Sequence, residues 1–556
     1  IFSCVRTNSS TQLDSLDLFS KDNNLRKFLD NDYSKLFCVL PSNAVVGKPI
    51  RVTVQTWDWA ERICKKSFRN KISFSSTDLS ADLPDSFSFK FKDQGLKTFE
   101  NAVVFNSPGI HYVKVFDKIN DIWTYSNPVK VTEEEPEYKW YWGDLHSHSI
   151  LSDGTGTAFH NYKYARDVSM LDFCALSEHD HLSWSPYQRS DNVWRLSKSM
   201  VNLFYDPGSF VTLFAYEYTN AREMNDYGHY NVYYNTVDNA PVYSCGEEKS
   251  DNILELWSLL KDWENKSGYD AFTVPHHLLT DNLEWNPDYY DNEMVPLVEL
   301  YQFKGSSEMN SWCGKIFEHI RKEIQEPGHS VQDGLARGYK FGFIASSDDH
   351  HGHPGHHMPI MQSYITEPAS YLGPVYFRYN GLHARLEYLK KILENDRYFY
   401  YEPGGITGVM AKNLTRKEIF NNLKDRRCIA VRSVDRILID FTVNGFGVGN
   451  GSELYLGNIN TSRVINVSVA GTAPLYNITV IKNNETLYYV RDVGSNRKNI
   501  SQYRYNFSVT DTEPIKGIAW NETHNTNGRD FYYVRVIQTN KAAAWIGPIW
   551  INSTEL

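Results

Sequence analysis

Five apolar, strand-like runs in this chain each end in a histidine or a carboxylate, and that repetition constrains the fold more than any other feature. Lys139 to Trp142 leads into Asp144-Leu145-His146-Ser147-His148, and Leu171 to Leu176 leads into Glu178-His179-Asp180-His181. Val211 to Ala215 leads into Glu217, Ala271 to Val274 into His276-His277, and Phe341 to Ala345 into Asp348-Asp349-His350. Helical patterns lie between them, at Ala158 to Val168, Ile253 to Lys266 and Trp312 to Ile324. Strand and helix in alternation is the α/β signature, and a parallel barrel opens all its strand C-termini on one face. Groups at those ends would converge there. Of the 18 histidines, 15 fall between His146 and His357. Imidazole nitrogens and carboxylate oxygens are the ligands that Zn, Mn and Fe accept, so several together imply more than one ion.

The expected class is therefore multidomain, α/β plus β. Residues 1–35 form an N-terminal segment. Over 36–132, short period-two runs such as Ile50 to Thr56, Tyr112 to Phe116 and Pro128 to Val131 predict an immunoglobulin-like β-sandwich. Residues 133–138, with Glu133, Glu134, Glu135 and Pro136 in a row, read as a linker. The α/β region spans 139–428. From 429 to 556 period two returns, as in Ile437 to Val443 and Phe531 to Ile537, which predicts a second β-sandwich.

Composition places the chain. Among 556 residues, 57 basic against 67 acidic give a net charge of −10 without a block of Lys or Arg, so no nucleic-acid groove is expected. No apolar run reaches the length of a membrane span, and the start Ile1-Phe2-Ser3-Cys4 reads as a mature chain. Asn-x-Ser/Thr occurs at Asn8, Asn265, Asn413, Asn450, Asn460, Asn466, Asn477, Asn484, Asn499, Asn506, Asn521 and Asn552. Their crowding after residue 410 predicts N-linked glycans on a secreted or surface-exposed C-terminal domain. Seven scattered cysteines exclude zinc ribbons and thioredoxin chemistry, and in an oxidising compartment Cys38 with Cys64 and Cys245 with Cys313 are the expected bridges. Cys174, inside an apolar run, is expected to be an inert buried thiol.

Gly143-Asp144-Leu145-His146-Ser147-His148, Ser152-Asp153-Gly154 and Leu171-Asp172-Phe173 through Ser177-Glu178-His179-Asp180 resemble the first two motifs of the PHP (polymerase and histidinol phosphatase) superfamily, and Asp348-Asp349-His350 resembles its final motif. More closely, Tyr216 to Thr219, Gly228 to Tyr233, Val274 to His277, Glu299 with Gly305 to Glu308, and Gly342 to Gly355 look like an uncharacterised PHP-like family known as a domain of unknown function. The likeness runs over roughly 139 to 445 in order and spacing. It implies a distorted seven-stranded (β/α)7 TIM-like barrel holding two or three divalent metals, Zn, Mn or Fe, at its C-terminal face. Carried over by position, the ligands would be His146, His148, Asp153, His179, Glu217, His229, Asp348, His350 and one of His276 and His277, with His277 preferred. Asp153 stands where some members of the superfamily have His, and Leu278 stands where a Pro is common.

The chemistry expected of such a centre is hydrolysis by a hydroxide bridging two ions. Asp180 reads as the carboxylate that orients a ligand imidazole, and His181 and His351 as candidates for protonating the leaving group. No Gly-x-Ser-x-Gly, P-loop or dinucleotide fingerprint is present. The leading expectation is a secreted metal-dependent phosphoesterase acting on a small-molecule or glycan-linked phosphoester. The competing ones are a surface scaffold glycoprotein, joined to a cell-surface assembly, that keeps the barrel as a structural unit, and hydrolysis of a glycan or amide bond. Trp140, Trp142, Trp184, Tyr187 and Trp194 fall near the expected mouth and would suit stacking on a sugar or base.

Overall fold

The computed structural model describes residues 33–554 except 59–60, 65–70, 181–189, 220–226, 246–249, 281–283, 311–326, 357–402 and 522. The chain divides into two compact units, Ile1–Glu133 and Glu134–Leu556.

In the first unit, Pro49–Trp57 pairs antiparallel with Lys35–Val39 on one side and Leu96–Val104 on the other. A second small sheet joins Asn43–Val45, Val129–Thr132 and Gly109–His111, and a third joins Phe87–Ser88, Lys71–Ser76, Val113–Asp117 and Ile122–Tyr125. Alternate residues such as Val113, Val115, Val129 and Val131 enter one apolar core, the period-two burial of a half-buried strand, and Val52 and Val54 join it from a central strand buried at successive positions. The expected Cys38–Cys64 bridge is absent: the two thiols are buried and not bonded to each other. Cys38 lies opposite Val54 on one flank of the central strand, whereas the Cys64 amide bonds Thr56 O on the flank where Thr56 N meets Gly95 O. Two interstrand spacings, about 9–10 Å, separate such positions, and a disulfide tolerates about 7 Å between Cα atoms. Cys313 lies outside the described residues. Cys174 is fully buried, as expected.

The second unit is built on a 12-stranded sheet. Its site-bearing strands are β1 (Lys139–Asp144), β2 (Phe173–Leu176), β3 (Val211–Tyr218), β4 (His229–Tyr234) and β5 (Ala271–His276). β1, β2 and β3 run parallel, and β4 and β5 continue antiparallel. β6 (Leu297–Gln302) pairs parallel with β7 (Gly342–Ala345) in a separate sheet. These strands are buried along almost their whole length, which is why their sequence is near-continuously apolar rather than alternating. The helix Ile253–Ser267 shows the complementary pattern: Ile253, Leu256, Trp257, Leu260 and Trp263 form its buried stripe, Asn252 caps its start, and Gly268 ends it at φ +72°. Trp312 to Ile324, expected to be helical, lies outside the described residues.

On its other side β1 pairs with β8 (Gly405–Ala411), then β9 (Cys428–Arg432). β9 in turn pairs with β11 (Ala543–Ser553), which pairs with β10 (Asp530–Gln538). The expected domain boundary at 428/429 thus falls at the start of a strand bonded on both sides, and backbone hydrogen bonds carry one sheet across it. Asn413, Asn460, Asn466, Asn499, Asn506 and Asn521 are exposed, whereas the sequon residues Asn477 and Asn552 are buried. No helix among the described residues is long and apolar enough to cross a membrane.

Candidate metal centre

β1 ends at Asp144, and the chain then turns through His146 and His148, both fully buried. Asp144 fixes that turn. Its carboxylate accepts from the amides of His146 (3.2 Å), Ser347 (3.0 Å) and Gly355 (2.7 Å) and from the Ser347 hydroxyl. The segments after β1 and β7 consequently run side by side, with Asp348 N on His146 O and His148 N on Asp349 O, each at 2.8 Å. His179 follows β2 and bridges to Glu217 on β3, while His229 and His276 are register partners on β4 and β5. Register alone therefore brings residues far apart in sequence to one place.

Glu217 lies at the middle. Its Oε2 is 3.2 Å from His146 Nε2 and 3.3 Å from His148 Nε2. Its Oε1 is 2.7 Å from His229 Nδ1, 3.2 Å from His276 Nε2 and 3.4 Å from His179 Nδ1. Asp348 Oδ1 is 3.3 and 3.4 Å from the Nε2 atoms of His146 and His148. Asp153 Oδ1 lies 3.5 Å from His179 Nε2 and 3.3 Å from His350 Nε2. Four overlapping groups result: His148/Asp153/His179/His350, His146/His148/Asp348, His146/Glu217/His276 and His229/His276/His277.

These groups fit metal ions. Two atoms bound to one ion at 2.0–2.2 Å sit roughly 3.0–3.6 Å apart, the separation found here. His148 Nε2, Asp153 Oδ1 and both ring nitrogens of His276 have no hydrogen-bond partner although they are buried, and buried polar atoms are otherwise nearly always paired. Three of the rings are also steadied by a neighbouring group. His146 Nδ1 meets Glu299 Oε2 at 3.0 Å, His179 Nδ1 meets Thr219 Oγ1 at 2.6 Å, and His350 Nδ1 meets the Asp348 carbonyl at 2.9 Å. That is the outer support metal-binding imidazoles need.

Burial alone would raise Glu217, but His179, His276, His146 and His148 outweigh it and hold the carboxyl well below its usual range. Asp348 is held down against burial by Lys304, His146 and His148, and Asp153 by His350 and His179. Burial pushes His148 down, yet Asp348, Glu217 and Asp153 carry it up to about 10. His276, where burial prevails over Glu217, falls to about 4. The carboxylates of the cluster are thus held ionised by the surrounding imidazoles and by Lys304.

Some expectations need correction. Asp180 does not steady an imidazole: Oδ1 accepts the Thr219 amide at 2.8 Å and Oδ2 the Cys245 amide at 2.6 Å. Burial pushes it up to about 8, and it ties strand-end loops together. Glu299 does the orienting instead. A lone carboxylate inside the apolar run Leu297-Val298-Glu299-Leu300-Tyr301 was the signal for it. His277 was preferred over His276, but its Nδ1 faces Gln302 Nε2 at 2.6 Å and its Nε2 faces Lys304 Nζ at 3.2 Å, so His276 is the better-placed ligand. Trp140, Trp142 and Trp194 are buried and offer no stacking platform; Trp184, Tyr187 and His181 lie outside the described residues. His351 is part-buried beside the cluster, its amide on Asp349 Oδ2 at 3.1 Å.

The family model described as "Protein of unknown function (DUF3604)" matches residues 158–315 and 314–447. The chain belongs to this family. His179, Glu217, His229, His276, His277, Asp348 and His350 fall within the DUF3604 match, and His146, His148 and Asp153 precede it. An uncharacterized protein of Chlamydia pneumoniae is 24% identical over 544 residues, covering 97% of this chain and 76% of that protein. One from Chlamydia trachomatis serovar D is 24% identical over 454 residues, covering 81% and 63%. Among solved structures, a two-domain protein of Bacteroides vulgatus containing a predicted PHP-like metal-dependent phosphoesterase aligns with a TM-score of 0.32 and 14% identity, over 70% of this chain and 96% of that one.

Proposed function

We propose that this chain is a secreted metal-dependent hydrolase, most directly a phosphoesterase, with two or three Zn, Mn or Fe ions in its centre. The observation that carries the reading is Glu217, a buried carboxylate that faces five imidazoles, His146, His148, His179, His229 and His276, through both oxygens. A single structural ion needs only four ligands in a closed shell, and a shared carboxylate among several imidazoles suits adjacent ions. Divalent ions held there would supply Lewis acidity, acidifying water toward neutral pH and neutralising phosphoryl oxygens. The protein's own part is to hold the carboxylates ionised and the rings aimed. Asp153, His179, His229, His277 and His350 retain slight exposure, up to 13% at Asp153, and so mark the side from which substrate would approach.

The matching fold reading is a distorted PHP-type barrel over 139–428, flanked by an immunoglobulin-like sandwich and a glycosylated β-sandwich. The parallel β1, β2 and β3 and the separate β6 and β7 support the barrel; the exposed sequon asparagines support an extracellular placement, which a mobility shift on deglycosylation would check. The function is tested on chain purified without chelator, by elemental analysis and by release of p-nitrophenol from phosphate mono- and diesters. About two to three equivalents of metal, with turnover lost in Glu217→Gln, is the expected result. Less than about one equivalent after incubation with excess metal would overturn it.

A further inference from the structure

Lys304 lies just beyond β6 and is buried to 3% exposure, an unusual place for an ammonium group beside a cation-binding cluster. It donates to Asp348 Oδ2 and stands 3.2 Å from His277 Nε2. Its backbone N–H donates to Gln302 Oε1 at 2.5 Å. That contact fixes the orientation of the Gln302 amide, whose Nε2 then donates to His277 Nδ1 at 2.6 Å and to Asp348 Oδ2 at 3.1 Å. Gln302 thus hydrogen-bonds His277 Nδ1, Lys304 lies against its Nε2, and both donate to the outer oxygen of Asp348. The inner oxygen, Oδ1, is the one that faces His146 and His148. His277 and Asp348 also have left-handed backbones, at φ +59° and +52°, a conformation kept only where surrounding contacts impose it. His276 differs from its neighbour in its contacts: neither ring nitrogen is hydrogen-bonded, and Nε2 is 3.2 Å from Glu217 Oε1.

We propose that Lys304 is a positioning residue and a built-in cation of the metal centre, reserving Asp348 Oδ1 for the metal and withholding His277 from the ligand set, so that His276 completes it. The proposal rests on the metal-hydrolase reading. Its physical consequence is a like charge beside the metals, which opposes their binding while it fixes their geometry.

Full-length wild type, Lys304→Met, His277→Ala and His276→Ala, each stripped with chelator, are titrated with Zn²⁺ against a fluorescent competitor, and bound metal is counted by elemental analysis. Lys304→Met is expected to bind at least about tenfold more tightly, or to take up a further equivalent, because the opposing charge has gone. A merely structural lysine would give the opposite sign. His277→Ala is expected to keep the wild-type stoichiometry and His276→Ala to lose one equivalent. Weaker or unchanged binding in Lys304→Met, or an equivalent lost in His277→Ala, overturns the proposal. Should Lys304→Met fail to fold, the histidine pair decides. Wild type that takes up less than about one equivalent overturns the metal-hydrolase reading itself, whereas wild type that fills normally while His277→Ala does not overturns this proposal alone.

Discussion

Asp511 and Asp530 are buried carboxylates, as are Glu217 and Asp348, yet the two sets find their positive charge differently. Arg463 Nη2 meets Asp511 Oδ2 at 2.7 Å, and Lys482 Nζ lies 2.7 Å from Asp511 and 3.0 Å from Asp530. Tyr532 donates to the same Asp511 oxygen, and Asn483 and the Gly517 amide donate to Asp530 Oδ1. That cluster closes on itself with side chains of fixed charge. Around Glu217 the facing groups are imidazoles, which carry charge only when protonated and otherwise offer lone pairs. The first arrangement holds strands together; the second leaves room for an ion brought from outside. Both clusters bury carboxylates, so it is the chemistry of the partners, fixed cations in one and imidazoles in the other, that distinguishes them.

The sharpest way to break this contrast is Glu217→Gln. It removes the shared charge, and we expect metal content to fall to about one equivalent or fewer and phosphoesterase turnover to drop by roughly a thousandfold or more, read by elemental analysis and a p-nitrophenyl ester assay. Next in size is Arg463→Met, which takes from Asp511 one of its two close cations and leaves Lys482. It should cost about 3–5 kcal/mol in urea unfolding while leaving metal content unchanged. Glu299→Gln leaves His146 without its charged acceptor, and Zn²⁺ affinity should fall about 10–100-fold with little change in urea midpoint.

Smallest is the response to pH. Asp511 is carried down to about 2, where burial would raise it but Lys482, Tyr532 and Arg463 prevail. A depressed carboxyl contributes stability above its unfolded value, near 3.9, and that stability is lost as pH falls through about 2. His148 runs the other way. Carried up to about 10, it stabilises the metal-stripped chain below an unfolded value near 6.5, and this contribution fades as pH rises toward about 10. Melting of stripped chain between those limits should therefore show a gradual decline. Adding Zn²⁺ at pH 8 should release at least about one proton per chain, measured in weakly buffered solution.

Much of the centre was legible because its members sit at strand ends, where period and chemistry change together: His146, His148, His179, Glu217, His276, Asp348 and His350 all announce themselves as polar groups terminating apolar runs. Strand existence followed the same way, since buried parallel strands leave near-continuous apolar stretches. Lys304 and Gln302 could not be seen. Nothing local distinguishes a lysine that folds back onto Asp348 from one in water, because the partner is 44 residues away. Asp180 misled for a related reason: adjacency to His179 in sequence suggested a pair, but successive residues point apart at a strand end, and its oxygens met the amides of Thr219 and Cys245. Cys38 and Cys64 were close in sequence but kept apart by an intervening strand. The 428/429 boundary was drawn from a change of period, which cannot reveal that β9 bonds to strands of both regions.

Glu308 carries a last implication. Its carboxylate accepts from Tyr533, Arg535 and Trp545 at 2.7–2.9 Å, partners 225, 227 and 237 residues downstream. Glu308 stands a few positions past Lys304, so the segment that bears the lysine is anchored by β10 and β11. On the ribosome, where a chain grows by about 5–20 residues each second, His146 and Glu217 emerge well before those strands exist. The nascent centre thus spends many seconds half-built, its ligands open to whatever metal the compartment offers. On the metal-hydrolase proposal, the order of synthesis would bear on which ion the cluster takes up, and refolding the mature chain in a chosen metal is the way to learn whether a different ion can take the same place.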